Sequence, residues 1–242
     1  MNATPILLAW SGGKDCLMAL QRLRSDPHWH PVGLLCTINR TYQRIAMHGV
    51  RRELLLAQAA SLGLPVLEVP LDWPGSNEAY EQAHAEALVE ARRLWPGVRH
   101  CAFGDLFLQD VRDYRVRQLG HSGWRAVFPL WDEDTAALSR RFVGEGHRAV
   151  LCCVDTQQLD ADFCGRPYDR ALLDALPTGV DPCGERGEFH TLSYAGPLFR
   201  QPLPLRRGES VLRDGRFQFT DFILTDGHTD DAWTHRAGID AG

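Results

Sequence analysis

The chain has 242 residues, of which 44% are hydrophobic and 24% are charged, proportions that are ordinary for a soluble globular protein. They exclude collagen-like, low-complexity and wholly disordered chains. Lys and Arg number 26 against 31 Asp and Glu, which gives a net charge of -5 at pH 7. A mildly acidic chain does not favour a nucleic acid or an anionic membrane as its main partner.

The seven cysteines are scattered, and they include no C-x-x-C pair for zinc, an iron-sulfur cluster or a redox disulfide. This pattern is typical of a reducing compartment. The N-terminal segment lacks a basic region, and its apolar run at Ile6–Trp10 is too short for a secretion signal. No apolar stretch approaches the ~20 residues of a membrane-spanning helix. We therefore expect a cytoplasmic protein without a membrane partner.

Apolar runs alternate with segments of helical period in the first half of the chain, which predicts β-α units around a parallel sheet. The predicted strands are Ile6–Trp10, Val32–Ile38, Val66–Val69 and His100–Phe103. The predicted helices are Lys14–Arg24, His48–Leu62, Asn77–Leu94 and one that begins near Gln109. Four β-α units therefore extend to about residue 120.

The second half has a looser pattern. Its predicted elements are an apolar run at Ala126–Trp131, helices at Asp134–Phe142 and Tyr168–Leu176, and a strand at Ala149–Val154. Alternating segments at Glu209–Arg213 and Arg216–Phe222 flank Asp214-Gly215, which is a strong hairpin signal.

These elements predict an α/β fold, with a doubly wound, mostly parallel sheet in residues 1–121 and a smaller α+β domain in residues 122–225. Residues 226–242 lack apolar periodicity, and we expect a mobile tail there. The boundary between the two domains is placed near Gly120–Gly123, where the β-α pattern weakens.

The sharpest feature is a turn between the first strand and the first helix, with the sequence Ser11-Gly12-Gly13-Lys14-Asp15-Cys16. Two glycines let the backbone approach an anion, the N–H groups of the helix start point at it, and Lys14 adds a positive charge. The Walker A spacing is absent. A carboxylate beside a phosphate repels it unless a divalent cation lies between, so we expect Asp15 to contact Mg²⁺. The structural alternative is an ordinary strand-to-helix turn with a Ser cap.

This hexapeptide resembles the S-G-G-x-D-S loop of the N-type ATP pyrophosphatases of the PP-loop superfamily, which cleave ATP to AMP and pyrophosphate. Cys16 replaces the usual final Ser, and a thiol is a weaker hydrogen-bond partner. Three further stretches resemble the diphthine-ammonia ligase family. They are His48–Leu54, Gly104–Arg115 and Cys183–Thr191, the last of which resembles the G-E-x-G-E-[FY] signature of that family.

The matches together span most of the chain up to about Thr225. The resemblance implies an ATP-binding domain like that of the adenine nucleotide alpha hydrolases, followed by a smaller substrate domain. It also implies that a substrate carboxylate is adenylated and is then attacked by ammonia.

The candidate nucleotide-binding residues cluster at strand ends. Gly104-Asp105 follows a strand predicted in the same sheet as the first, and ligands of open α/β sheets bind off the carboxyl ends of the strands. The whole set is Ser11, Gly12, Gly13, Lys14, Asp15, Cys16, Thr37, His48, Gly104 and Asp105. Asp105 has an alternative role as a helix cap. A lone histidine such as His48 is more often structural than functional.

The candidate catalytic residues combine the first turn with the later glycine-rich loop. They are Lys14, Asp15, Glu185, Glu188 and His190. The last three could orient ammonium, accept its proton or bind a cationic part of the substrate. A solvated turn is the structural alternative for this loop. Arg112 and Arg115 follow Gly104-Asp105 on one helix face and could meet phosphate or a carboxylate, or only pair with neighbouring aspartates.

The leading hypothesis is an AMP-forming carboxylate-ammonia ligase that uses ATP and Mg²⁺ as cofactors and free ammonium as the nitrogen source. The substrate is an unidentified carboxylate, either protein-borne diphthine or a small metabolite. A tRNA thiolation enzyme with the same ATP loop is one alternative, disfavoured by the missing C-x-x-C and the negative charge. A non-catalytic ATP-binding protein is another. The sequence does not determine the oligomeric state, for which a homodimer is one option.

Overall fold

The structure is a computed structural model that describes residues 3–46, 48–72 and 75–225. The first sheet and its helices comprise β1 (Thr4–Ala9), α1 (Lys14–Ser25), β2 (Trp29–Asn39), β3 (Arg44–Ile45), α2 (Arg52–Leu62), β4 (Val66–Leu71), α3 (Asn77–Leu94), β5 (His100–Ala102), α4 (Gln109–His121) and β6 (Arg125–Val127). The remaining elements are α5 (Thr135–Gly144), β7 (Arg148–Asp155), a 3₁₀ turn (Ala161–Phe163), α6 (Arg170–Ala175), β8 (Phe189–Ala195), β9 (Leu205–Arg213) and β10 (Phe217–Leu224). The expected mobile tail at 226–242 lies outside the described residues.

The first sheet is parallel in the order β4-β2-β1-β5-β6, and the short β3 pairs antiparallel with the end of β2. From the central β1 the chain moves outward to β2 and β4, and it then returns to the other side of β1 for β5 and β6. The strand order therefore reverses between β1 and β5. In open α/β sheets, ligands bind outside the carboxyl ends of the strands at such a reversal.

Alternate residues of β1 face two different layers of helices. Ile6 and Leu8 belong to a core that contains apolar side chains of α1 and α2, whereas Leu7 belongs to a core that contains side chains of α3 and α4. A strand whose two faces are both covered is uniformly apolar, as β1 is. The helices on both faces confirm the predicted doubly wound, mostly parallel sheet.

The second sheet is antiparallel in the order β8-β7-β10-β9. The predicted hairpin around Asp214-Gly215 forms, and Asp214 and Gly215 both take left-handed backbone conformations there. The core that includes α1 and α2 continues without a break into Phe142 of α5, Val150 of β7 and Leu192 of β8. The second sheet thus packs on the α1 side of the first.

Three segments differ from their sequence-based predictions. The helix predicted from His48 begins at Arg52, because Gly49 has a positive φ of 67° that a helix does not accommodate. Strand β8 has no counterpart among the predicted elements, since the loop predicted at Asp181–Thr191 covers only its first three residues. The strand at Arg125–Val127 extends the first sheet beyond residue 121 by pairing with β5, although the division of the chain into domains stays a prediction.

No helix within the described ranges combines the length and apolarity that a membrane span requires.

Candidate active site

The glycine turn between β1 and α1 lies at the reversal of strand order. Gly12 has a φ of 83°, a conformation that residues with a Cβ adopt rarely. A Cβ on Gly13 would lie 3.2 Å from both the carbonyl oxygen and the Oγ1 of Thr191. Gly12 therefore suits the left-handed backbone conformation, and Gly13 allows β8 to pack closely against the turn.

Strand β8 is fastened to this turn by hydrogen bonds. The backbone N–H of Lys14 donates to Oγ1 of Thr191 at 3.0 Å, and the N–H of Ser193 donates to the carbonyl of Gly12 at 2.8 Å. The side chain of Gln58, in α2, donates to the same Gly12 carbonyl at 2.9 Å. Sequence reasoning missed Gln58 and Thr191, because neither belongs to the turn motif and only the tertiary fold brings them to it.

Lys14 and Asp15 form an ion pair at the start of α1. The ammonium of Lys14 lies 2.9 and 2.8 Å from the two carboxylate oxygens of Asp15 and also donates to the carbonyl of Cys183. Burial opposes the charge on Lys14, but the facing Asp15 carboxylate raises its pKa. Lys14 is 3% exposed, so the structure directs this cation to the later loop rather than to solvent.

Two further carboxylates converge on Asp15 from other segments. A Cβ on Gly104 would lie 2.9 Å from the backbone of Asp15, so the turn after β5 lies directly against α1. Oε1 of Glu185 accepts the backbone N–H of Leu106 at 2.7 Å. Burial, with the nearby charges of Asp15 and Asp105, raises the pKa of Glu185 to about 7.

Asp105 lies in this cluster with one unsatisfied oxygen. Burial raises the pKa of its carboxyl, while Arg115, whose Nε lies 4.0 Å from Oδ2, acts in the opposite direction. Oδ2 is buried and has no hydrogen-bond partner among the described residues. Strained or unsatisfied polar groups of this kind commonly mark functional sites.

The donor set suits a magnesium ion that is bound together with phosphate. No group of three or more His, Cys, Asp or Glu side chains within the described ranges is arranged to hold a metal ion by itself. Mg²⁺ in nucleotide sites typically takes only one or two carboxylates, and substrate phosphates and water supply its other ligands. Asp15 and Asp105, whose Oδ2 accepts no hydrogen bond from the described residues, fit that requirement.

Cys16 and Ser11 close the turn internally. The thiol of Cys16 donates to the carbonyl of Gly13 at 3.1 Å, and its sulfur lies 3.6 Å from Oγ of Ser11. Burial raises the pKa of Cys16 to about 11, so the thiol stays neutral. The structure thus places Cys16 against the backbone of its own turn.

The structure separates the three predicted residues of the later loop. Glu188 is buried and accepts the N–H groups of Asp181 and Arg186, each at 2.9 Å, so it holds its own loop together. His190 instead lies against His48, with ring centroids 4.4 Å apart and ring planes inclined by 33°. Glu185 faces Asp15 and Asp105, as described above. Only Glu185 and His190 therefore reach the neighbourhood of the glycine turn.

A polar chain runs from Thr37 toward Asp105 along the carboxyl edge of the first sheet. Oγ1 of Thr37 lies 3.1 Å from Nε2 of His84, whose ring centroid lies 4.3 Å from that of Tyr80 with the planes inclined by 41°. The Tyr80 hydroxyl accepts from Arg115 at 3.3 Å. Sequence reasoning named Thr37 and Arg115 but missed Tyr80 and His84, which lie one helical turn apart on α3 with no distinguishing motif.

A cavity of about 1570 Å³ opens between the β3–β4 side of the first sheet, α3 and the second sheet. His190 lines it, together with residues of β9 and β10. One cross-strand row of the second sheet contributes Val211, Phe219, Cys153 and His190, each paired with the next. This row extends from β9 to His190, whose ring lies against that of His48.

Residues 134–217 match a family model described as the diphthamide synthase C-terminal domain. The match includes the loop of Glu185, Glu188 and His190 and most of the second sheet. It confirms the resemblance to the diphthine-ammonia ligase family for this part of the chain, and it indicates an enzyme related to diphthamide biosynthesis. A comparison with curated proteins finds no match.

Proposed function

We propose that the protein is an AMP-forming, ATP-dependent ligase that adenylates a substrate carboxylate and transfers ammonia to it. The observation that carries this proposal is the convergence of the glycine turn with Asp105 and Glu185. Three separate segments bring these groups to one point at the strand-order reversal of the first sheet. The family match over residues 134–217 supports a diphthine-like acceptor.

The start of α1 supplies the groups that bind the phosphates of ATP. The N–H groups at the start of α1, apart from that of Lys14, which donates to Thr191, and the helix dipole favour an anion there. Ser11 adds a hydroxyl, and Lys14 provides positive charge behind the turn while it holds Asp15 in place. Asp15 and Asp105 would hold Mg²⁺, which supplies charge that offsets repulsion between these carboxylates and the phosphates.

The chemistry requires two displacements. The substrate carboxylate attacks the α-phosphorus of ATP, the bond to the bridging oxygen breaks, and pyrophosphate leaves with the electron pair. Ammonia then attacks the acyl carbon, and AMP leaves as the carbon-oxygen bond breaks. The fixed N–H groups at α1 need no reorganisation as charge develops on the phosphate, which is the main source of electrostatic catalysis.

Glu185 is suited to a role in the second displacement. Its pKa of about 7 leaves part of the population protonated and part ionised at neutral pH. The ionised form attracts ammonium toward the adenylate. The backbone N–H of Leu106 fixes one of its oxygens, so the carboxylate keeps a defined orientation.

The thiol chemistry of the thiolation alternative has little support. All seven cysteines are free and buried. Burial raises the pKa of Cys101 and of Cys153 to about 12, and the thiolate, not the thiol, is the reactive form. A persulfide-carrying cysteine needs an accessible thiolate, which these environments disfavour.

The direct test is to identify the nucleotide product. Purified protein is incubated with ATP, Mg²⁺, ammonium chloride and fractions of a cell extract. We expect AMP and pyrophosphate only when ammonium and an extract fraction are both present, with the macromolecular fraction required for a protein-borne carboxylate. Activity confined to the small-molecule fraction would identify a metabolite. Formation of ADP, or no turnover with any fraction, would refute the ligase.

A further inference from the structure

The adjacent imidazole rings of His48 and His190 lie between the glycine turn and the cavity. His48 lies on the turn side, where its Cε1 would be 3.5 Å from a Cβ on Gly13. His190 lies on the cavity side and lines the wall formed by the second sheet. The ring centroids are 4.4 Å apart, so the two histidines connect the glycine turn with the wall of the cavity.

One nitrogen of this pair has no partner. Nδ1 of His48 is buried and makes no hydrogen bond with any described residue. The neutral ring carries its single N–H on either Nδ1 or Nε2. With the hydrogen on Nε2, the lone pair of Nδ1 is an acceptor that no described residue satisfies. A buried acceptor without a partner costs about 1–3 kcal/mol, so its retention points to a ligand.

The surroundings keep both rings neutral. Burial, the neighbouring His190 and the ammonium of Lys14 lower the pKa of His48 well below its usual value. Burial and Lys14 lower the pKa of His190 to about 4. Lys14 of α1 is the charged group that faces the two rings, and His48 and His190 face each other. Neutral imidazoles repel no cation and can accept a proton when a strongly acidic group forms beside them.

We propose that His48 and His190 form the ammonia site, in which Nδ1 of His48 orients the nucleophile and accepts its proton as the amide forms. The inference rests on the proposed ligase. When ammonia attacks the acyl-adenylate, the carbon-nitrogen bond forms and the nitrogen becomes cationic. Nδ1 of His48 takes one proton from that nitrogen, and the carbon-oxygen bond to AMP breaks as AMP leaves with the electron pair. His48 releases this proton to solvent after AMP leaves.

The first test measures the tautomer of His48 in the whole protein by nitrogen NMR after ¹⁵N-histidine labelling. We expect a neutral ring with Nε2–H at neutral pH, and a shift of Nδ1 on addition of ammonium chloride but not of sodium chloride. His147 is the matched control, since its Nδ1 is also buried and unpartnered among the described residues but lies against Phe142 and Gly196. A proton on Nδ1 of His48, or equal responses to both salts, would overturn the proposal.

The second test separates nitrogen transfer from adenylation. In H48N we expect the ammonium-dependent rate of amide formation to fall about 100-fold or more, the usual range for loss of a general base. Trapping of the adenylate by hydroxylamine, whose nitrogen is less basic and needs less help in losing a proton, should fall by under about threefold. H147N should match the wild type in both assays.

The outcomes distinguish this site from the ligase itself. If the wild type forms no AMP with any fraction, the ligase and the ammonia site both fail. If the wild type is active and folded H48N uses ammonium equally well, only the ammonia site fails. If circular dichroism shows that H48N does not fold, H48Q, whose side chain is closer in size to histidine, is measured in its place.

Discussion

The two glycine-containing loops of the site are organised in opposite ways. The turn at Ser11–Cys16 is shaped by its own sequence, since its glycines, the adjoining strand and the start of α1 all lie within one short segment. The loop at Cys183–Thr191 acts through contacts with distant segments. Its Cys183 carbonyl binds Lys14, its Glu185 binds the backbone of Leu106, and its Thr191 binds the start of α1.

The functional groups of the first loop are set by its local sequence, and those of the second loop are set by contacts with distant segments. The first loop presents a charged pair and helix N–H groups that any strand-to-helix turn of this sequence would offer. The second loop divides two similar acids between different roles, because Glu188 is bound within the loop and Glu185 is directed at Asp15. Four substitutions test this contrast.

The largest effect is expected at Asp15 of the first loop. Asp15→Asn keeps the shape of the side chain but removes the charge that faces Lys14 and that, in the proposed function, would hold Mg²⁺. We expect AMP formation to fall about 100-fold or more, as for other losses of preorganised electrostatic groups. Asp110→Asn, at an exposed site in the first turn of α4, is the control and should retain activity. Wild-type activity in folded Asp15→Asn protein would contradict the assigned role.

The close packing against the first loop is tested at Gly104. In Gly104→Ala the new Cβ would lie 2.9 Å from backbone atoms of Asp15 and Cys16, which cannot move without distorting α1. We expect a loss of about 1–3 kcal/mol in the free energy of unfolding, measured with denaturant. Gly120→Ala, where no heavy atom lies within 4 Å, should cost nothing. Equal stability of the two variants would show that the turn can relax.

The contact between the loops is tested at Thr191. Thr191→Val removes the acceptor of the Lys14 N–H and leaves that buried donor unpaired. The free energy of unfolding should fall by about 1–3 kcal/mol. Thr191→Ser retains the hydroxyl and should preserve most of the stability of the bond. Should valine and serine give the same result in chemical denaturation, the hydroxyl bond would not fasten β8 to the turn.

The smallest effect concerns the pH dependence set by Glu185. Its folded-state pKa of about 7 exceeds the ordinary value of 4.5, so the folded protein holds this proton more tightly than the unfolded chain does. The resulting stability is complete below the ordinary value and is lost as the pH rises through about 7. Glu185→Gln should flatten this part of the curve and should be more stable than the wild type above neutral pH.

Thermal unfolding across this pH range measures the difference. The amide can still accept the N–H of Leu106, so the substitution changes the charge and keeps the hydrogen bond. Parallel curves for the two proteins would show that Glu185 does not titrate near neutral pH.

The sequence by itself determined the elements and the first loop. The helix at Asn77–Leu94 forms with the predicted bounds, and the turn at Ser11–Cys16 lies where it was expected, because apolar periodicity and glycine positions act over a few residues. The hairpin around Asp214-Gly215 was readable for the same reason. Local signals failed at His48, where a left-handed Gly49 delays the helix.

Only the tertiary structure decided how the site is assembled. No local pattern distinguishes Glu185 from Glu188, marks Gln58 as a neighbour of the turn, or places Tyr80 and His84 between Thr37 and Arg115. Strand pairing and the packing of the second sheet on α1 place these side chains, which come from segments far apart in the chain. Their pKa shifts and their buried hydrogen bonds depend on desolvation by those distant segments, and a sequence window contains none of that information.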